Sequence, residues 1–167
     1  MFHTDSEKFS HASSALNVLL ADRCALSLAL PLHIGHYALV AAKDYGELFS
    51  RLAGRPLIQF CVGSGVRLDL AGSPHYEITI ESPLSIAAAN LERAESTSVE
   101  VLAVLRGLLM QPVRSVVEYD GQLSVVFDSM TITVPRDDDY EAWQIRADDG
   151  MMIVCIPGGE LAVWLPE

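Results

Sequence analysis

The feature that most constrains this chain is an internal repeat. The stretch LAGRPLIQFCVGSGVRLDLAGSPHYEITIESP, residues 52–83, lines up with LLMQPVRSVVEYDGQLSVVFDSMTITVPRD, residues 108–137. Leu52 answers Leu108, Pro56 answers Pro112, Leu57 answers Val113 and Gly65 answers Gly121. Further along, Leu68 matches Val125, Leu70 matches Phe127, Ile78 matches Ile132 and Ile80 matches Val134, with the spacing held between 54 and 57 residues. Each copy places Pro at the first position of a strand, one of the few places where a sheet accepts a residue without an N–H. Three short alternating runs follow in each copy: 57–62, 66–71 and 76–81 in the first, and 113–119, 122–128 and 131–134 in the second. Ser64-Gly65 and Asp120-Gly121 supply the turns, and Asp-Gly between alternating runs is a strong local hairpin signal.

Residues 98–109 between the copies read as a helix, with Val101, Leu102, Leu105 and Leu108 as its apolar stripe. Glu100 in the first turn and Arg106 in the last suit the helix dipole. Residues 84–95 read either as an edge strand or as another short helix. Three more strands close the chain at 140–145, 151–156 and 161–165, reversed at Asp149-Gly150 and Gly158-Gly159. Trp143 and Trp164 lie in this group and fill a core or cap a sheet edge. The fold class is therefore α+β: duplicated antiparallel β-meander units with a connecting helix and an N-terminal helical arm. The arm covers residues 1–50 and the β-rich domain residues 51–167.

The arm differs in texture. Residues 25–42 contain no Asp, Glu, Lys or Arg, but Pro31, His33, Gly35 and His36 interrupt the run. That favours a buried or partner-covered helical hairpin, with a first helix over 13–28, rather than a membrane span. The stretch lying outside the natural domain is the other reading. Residues 45–52 read as a short helix ended by Gly54.

Eleven basic residues stand against 22 acidic ones, a formal charge of -11. Nucleic-acid binding needs a basic face, so this balance argues against it. It favours solubility or a partner with a basic surface. Cys24, Cys61 and Cys155 form no CxxC pair and read as reduced, buried small hydrophobes. No nucleophile elbow, phosphate loop or dinucleotide fingerprint is present. His33 and His36 lack further ligands nearby, a Cys61–His75 nucleophile pair is not brought together by the sequence, and Glu77, Glu81 and Glu118 point outward by alternation. No catalytic, cofactor-binding or metal-ligating residue is assigned, and no cofactor is expected. The densest acidic stretch, Asp137, Asp138, Asp139, Tyr140 and Glu141 with Trp143, is the candidate interaction surface; a solvated loop is the plainer reading.

The segment DDDYEAWQIRADDGMMIVCIPGGELAVW, residues 137–164, resembles a family of short uncharacterised actinobacterial proteins with a YEAW element and a C-terminal PGG-x-LAVW hairpin. The similarity covers roughly residues 52–164 and implies a bacterial, cytoplasmic protein, with no activity to carry over. The leading functional expectation is a non-enzymatic protein-interaction module, with a basic protein or a second copy as partner. A small-ligand binder or hydrolase with a pocket between the two β units, lined by His75, Tyr76, Tyr119 and Trp143, stays open. So does an immunity or antitoxin-like protein for a basic effector.

Overall fold

The computed structural model describes residues 38–39 and 45–166. In chain order the elements are β1 (Ala38–Leu39), α1 (Gly46–Ser50), β2 (Leu57–Val62), β3 (Val66–Leu70), β4 (Tyr76–Ile80), β5 (Leu84–Ile86), a 3-10 turn (Ala87–Ala89), β6 (Leu91–Ala94), α2 (Val99–Leu108), β7 (Ser115–Tyr119), β8 (Gln122–Val126), β9 (Thr131–Val134), β10 (Trp143–Ala147), β11 (Met152–Cys155) and β12 (Leu161–Leu165). The two repeat units are β2-β3-β4 and β7-β8-β9, each an antiparallel meander preceded by a helix. Residues 84–95 resolve into β5 and β6 around the 3-10 turn rather than a helix. The predicted helix over 13–28 lies outside the described residues. Ala38–Leu39, read as part of a helical hairpin, is instead a strand paired with β12.

The repeat is physical as well as sequential. Pro56 and Pro112 face each other in an antiparallel bridge. The four backbone hydrogen bonds that cross between the units beside that bridge form two pairs related by exchange of the units. Gly54 N donates to Val113 O at 2.8 Å, and Met110 N donates to Leu57 O at 2.7 Å. Leu57 N donates to Gln111 O at 3.0 Å, and Val113 N donates to Arg55 O at 2.9 Å. The ladder bonds are carried by the neighbours, so neither proline forfeits one. Side chains follow the same rule: Arg55 Nε donates to Arg51 O, and Gln111 Nε2 donates to Gly107 O.

The strand after each unit crosses to the other. β5 follows the first unit and pairs with β9 of the second, while β10 follows the second unit and pairs with β4 of the first. The result is a seven-stranded sheet, β1-β12-β11-β10-β4-β3-β2, and a five-stranded sheet, β6-β5-β9-β8-β7. Their inward rows form one buried cluster that includes Val66, Leu68, Leu70, Ile78 and Ile80 with Leu123, Val125, Phe127, Ile132 and Val134. Register confirms the sequence equivalences: Leu68 opposes Ile78 as Val125 opposes Ile132, and Val66 opposes Ile80 as Leu123 opposes Val134.

Helix α1 belongs to this core. Leu48 and Phe49 are buried, and the Phe49 ring meets Trp143 edge-on at 6.3 Å. The packed domain therefore begins upstream of residue 51. Helix α2 is capped by Ser98, whose Oγ accepts from Val101 N, and buries Val101, Leu105 and Leu108. No helix among the described residues is long and apolar enough to cross a membrane.

Candidate functional site

The inward rows of the two units match, but their outward rows do not. Register sets Arg67 of β3 against Thr79 and Asp69 against Glu77 of β4. In the second unit the corresponding pairs are Ser124 with Thr133 and Val126 with Thr131. Charged residues on the first sheet thus stand where the second unit carries Ser, Val and Thr. Arg146 of β10 extends the row beside Glu77, and Gln59 of β2 flanks Asp69 on the other side.

The loop between the second and third strands also differs. In the second unit Phe127 N donates to Met130 O across a tight turn. In the first, residues 71–75 form a longer connection containing a cis Ser73-Pro74 bond and delivering His75 to the start of β4. Arg55 secures this loop, donating from Nη1 to Pro74 O at 2.7 Å and to Ala71 O at 3.2 Å. Its guanidinium also sits over the Tyr76 ring at 4.5 Å. His75 itself is clamped through its backbone: its N–H donates to Asp148 Oδ1 at 3.0 Å, and its carbonyl accepts from Asp148 N at 3.1 Å.

These features converge on Asp69. Its side chain is 7% exposed, with Arg67 Nε 3.1 Å and His75 Nε2 3.8 Å from Oδ1. Glu77 Oε1 lies 3.9 Å from Arg67 Nη1. The Arg67–Asp69 approach is an ion pair without hydrogen-bond geometry: Arg67 Nε and Asp69 Oδ1 are both buried and lack a hydrogen bond among the described residues. Burial raises the Asp69 carboxyl above its ordinary value, and Glu77 adds to the rise against the opposing pull of Arg67 and His75. Such a cluster is costly to keep inside a sheet face. The second unit shows that the meander forms without it.

The residues expected at the interaction surface fall into three roles. Asp137 is a turn builder: Oδ1 accepts from Asp139 N at 2.9 Å and from Tyr140 N at 3.1 Å, and those bonds hold its carboxyl below the ordinary range. Asp138, Asp139, Tyr140 and Glu141 are exposed, and Tyr140 and Glu141 line a shallow depression shared with Glu81, Glu95, Ser64 and Ser82. Trp143 is 1% exposed and belongs to the core, donating from Nε1 to Gly121 O at 2.8 Å, so it leaves the surface. A second depression, along Gly63–Arg67 with Thr79, Gln144 and Arg146, shares Ser64 and Glu81 with the first.

Other expectations need correction. Tyr76 and Trp143 are buried in the filled core while Tyr119 is 79% exposed, so they and His75 do not line a common pocket between the units. Glu118 does not point outward: it shares the inward parity of Val116, and its Oε1 accepts from Gly121 N at 2.7 Å. Cys61 is disulfide-bonded, so the reading of all three cysteines as reduced does not hold, and Cys61 offers no free nucleophile to pair with His75. Cys155 is a buried free thiol pushed up to about 11, chiefly by burial and then by Glu118, which makes it an inert core residue.

Fold and surface together define a protein of two interlocked β-meanders with a filled interior and a charged outer face confined to one unit. Residues 49–165 match a family of unknown function, DUF6188, and the chain belongs to that family. No curated protein and no solved structure matches the chain.

Proposed function

We propose that this protein is a non-enzymatic interaction module that docks a basic partner on the acidic face around Tyr140. One observation carries the reading. Tyr140 is 73% exposed and is fixed by the Asp137 turn among Asp138, Asp139 and Glu141, with Glu81 and Glu95 around the same depression. An exposed tyrosine offers contact area with few rotatable bonds, and the surrounding carboxylates select a cationic surface. The overall charge of -11 supports long-range attraction of such a partner. A basic effector neutralised by an immunity-like protein is one partner of this kind.

An oligo-arginine peptide tests the face. The variant Tyr140→Ala/Glu81→Gln/Glu141→Gln is expected to bind it about tenfold more weakly than wild type, with binding falling as salt rises. The variant Glu47→Gln/Glu100→Gln removes two acidic charges from the helices and is expected to bind nearly as wild type. Equal losses in both would reduce the effect to net charge and remove the reading.

A further inference from the structure

We propose that Asp69, His75 and Glu77 form a binding site for a divalent transition-metal ion of the zinc type. The ligand atoms of these three side chains lie within 4.8 Å of one another. A tetrahedral ion with bonds near 2.0–2.1 Å needs ligand atoms roughly 3.4 Å apart, so the cluster closes on it by about 1 Å of side-chain movement. The donor set is one imidazole nitrogen and two carboxylates. That mixture suits zinc or its neighbours, whereas magnesium and calcium prefer oxygen throughout.

A second observation points to a ligand. Asp69 is more than nine-tenths buried, and its Oδ1, the atom facing His75, has no hydrogen bond among the described residues. Its contacts there are the Arg67 ion pair at 3.1 Å and the His75 approach at 3.8 Å, neither with hydrogen-bond geometry; a buried carboxylate oxygen normally accepts a well-aligned hydrogen bond as well. The sheet also sets Glu77 directly opposite Asp69, an arrangement of like charges that destabilises a strand pair and that, among the ion pairs of the described residues, only the Arg67 side chain offsets by reaching both carboxylates. In the second unit the same positions hold Val126 and Thr131, and its shorter turn carries no histidine. All three ligands are therefore peculiar to the first unit.

Arg67 is the built-in counter-ion. It sits near both carboxylates, but without hydrogen-bond geometry to Asp69, and its side chain is 22% exposed. Entry of a divalent ion displaces the guanidinium toward solvent, exchanging one positive charge for two. The site leaves a fourth coordination position for water, since three protein ligands are available.

Titration of zinc chloride into the tag-free full chain, in competition with a chromophoric chelator, tests the proposal; cobalt absorption reports the coordination geometry. One ion per chain is expected, with affinity reduced at least about tenfold in His75→Ala and in Asp69→Asn. Arg67→Gln is expected to bind more tightly, because no guanidinium has to leave; loss of folding cannot produce that gain. A variant with His3, His11, His33 and His36 all changed to Ala is expected to keep the site. The proposal is overturned by absence of stoichiometric binding, by unchanged affinity in His75→Ala, by a loss confined to the four-histidine variant, or by an Arg67→Gln affinity no higher than wild type.

Discussion

The two β units share a skeleton and differ in what they show to the outside. Both begin at a helix end, turn through a residue with positive φ, pass a proline at their mutual bridge and fold into a three-stranded meander. Their inward residues are interchangeable in kind: Val66, Leu68 and Leu70 against Leu123, Val125 and Phe127, all buried. Their outward residues are not. The first unit carries Arg67, Asp69 and Glu77 where the second carries Ser124, Val126 and Thr131. A core position answers to packing, so both units repeat it. An outward position is free to vary, and a costly choice there needs another reason. The second unit thus acts as an internal control for the first.

The comparison breaks most visibly if the two cores are not equivalent. Leu68→Ala and Leu123→Ala each remove a fully buried leucine from the shared cluster, and each is expected to cost about 2–5 kcal/mol. Urea unfolding should show one cooperative transition in both variants, because the swapped β5 and β10 bind each unit to the other's sheet. Two separate transitions, or a large loss in one variant alone, would mean that the units fold independently.

The next test transfers the second unit's outer face onto the first. The variant R67S/D69V/E77T is expected to fold and to be neutral or more stable by about 1–4 kcal/mol, since replacing a buried ionic group with residues suited to the site often has that effect. A marked loss of stability would show that the charged row is structural, and would remove the contrast on which a functional reading of it rests.

A smaller effect isolates Asp69. Burial raises its folded pKa above the ordinary value of 3.8. The folded state therefore disfavours the ionised carboxylate. Below 3.8 the group is protonated in both states and contributes nothing; as pH rises through the window up to the raised value, wild type loses stability. Asp69→Asn lacks that slope, so its advantage over wild type should open with rising pH and then level off. Asp128 and Asp137, whose carboxyls are held below the ordinary range, give slopes of opposite sign, but both variants share them and they cancel in the difference. A constant gap across the acidic range would contradict the burial argument.

The parts legible in the sequence were those governed by local pattern. Pro56, Pro112, Gly65, Gly121 and the alternating apolar rows specify strands and turns wherever the chain goes, and the drift in repeat spacing reflects a longer second hairpin followed by a shorter second turn. The exchange of β5 and β10 was not legible, because alternation states which face is apolar and not which strand lies alongside. Glu77 read only as an outward residue for the same reason: its confrontation with Asp69 depends on register, and His75 joins them only through the path of the Gly72–Pro74 loop. Two errors had available signals. Trp143 shares the parity of Ile145, and Glu118 shares that of Val116, so each was marked as inward by its own strand.

The smallest predicted effect concerns a backbone position with positive φ where the two units use different residues. Gly54 and Met110 occupy the same position after their helices, with φ of 79° and 68°. Both donate their N–H to the opposite unit, so the left-handed conformation is imposed by the bridge and not chosen by the residue. A side chain in that region costs roughly 1–2 kcal/mol, partly offset by the roughly 0.5–1 kcal/mol of extra chain entropy that glycine loses on folding. Met110 is 70% exposed, so its side chain adds little packing in return. Met110→Gly should therefore stabilise the protein by about 0.5–1 kcal/mol, seen as a rise of about 2–3 °C in melting temperature. Gly54→Ala supplies the reverse measurement. No atom lies within 4 Å of the added Cβ, so its loss of about 0.5–1 kcal/mol would come from the backbone alone. Changes of opposite sign and similar size at the two positions would establish that the units impose the same conformation; a loss on Met110→Gly would show that the second unit draws on the methionine side chain in a way the first does not.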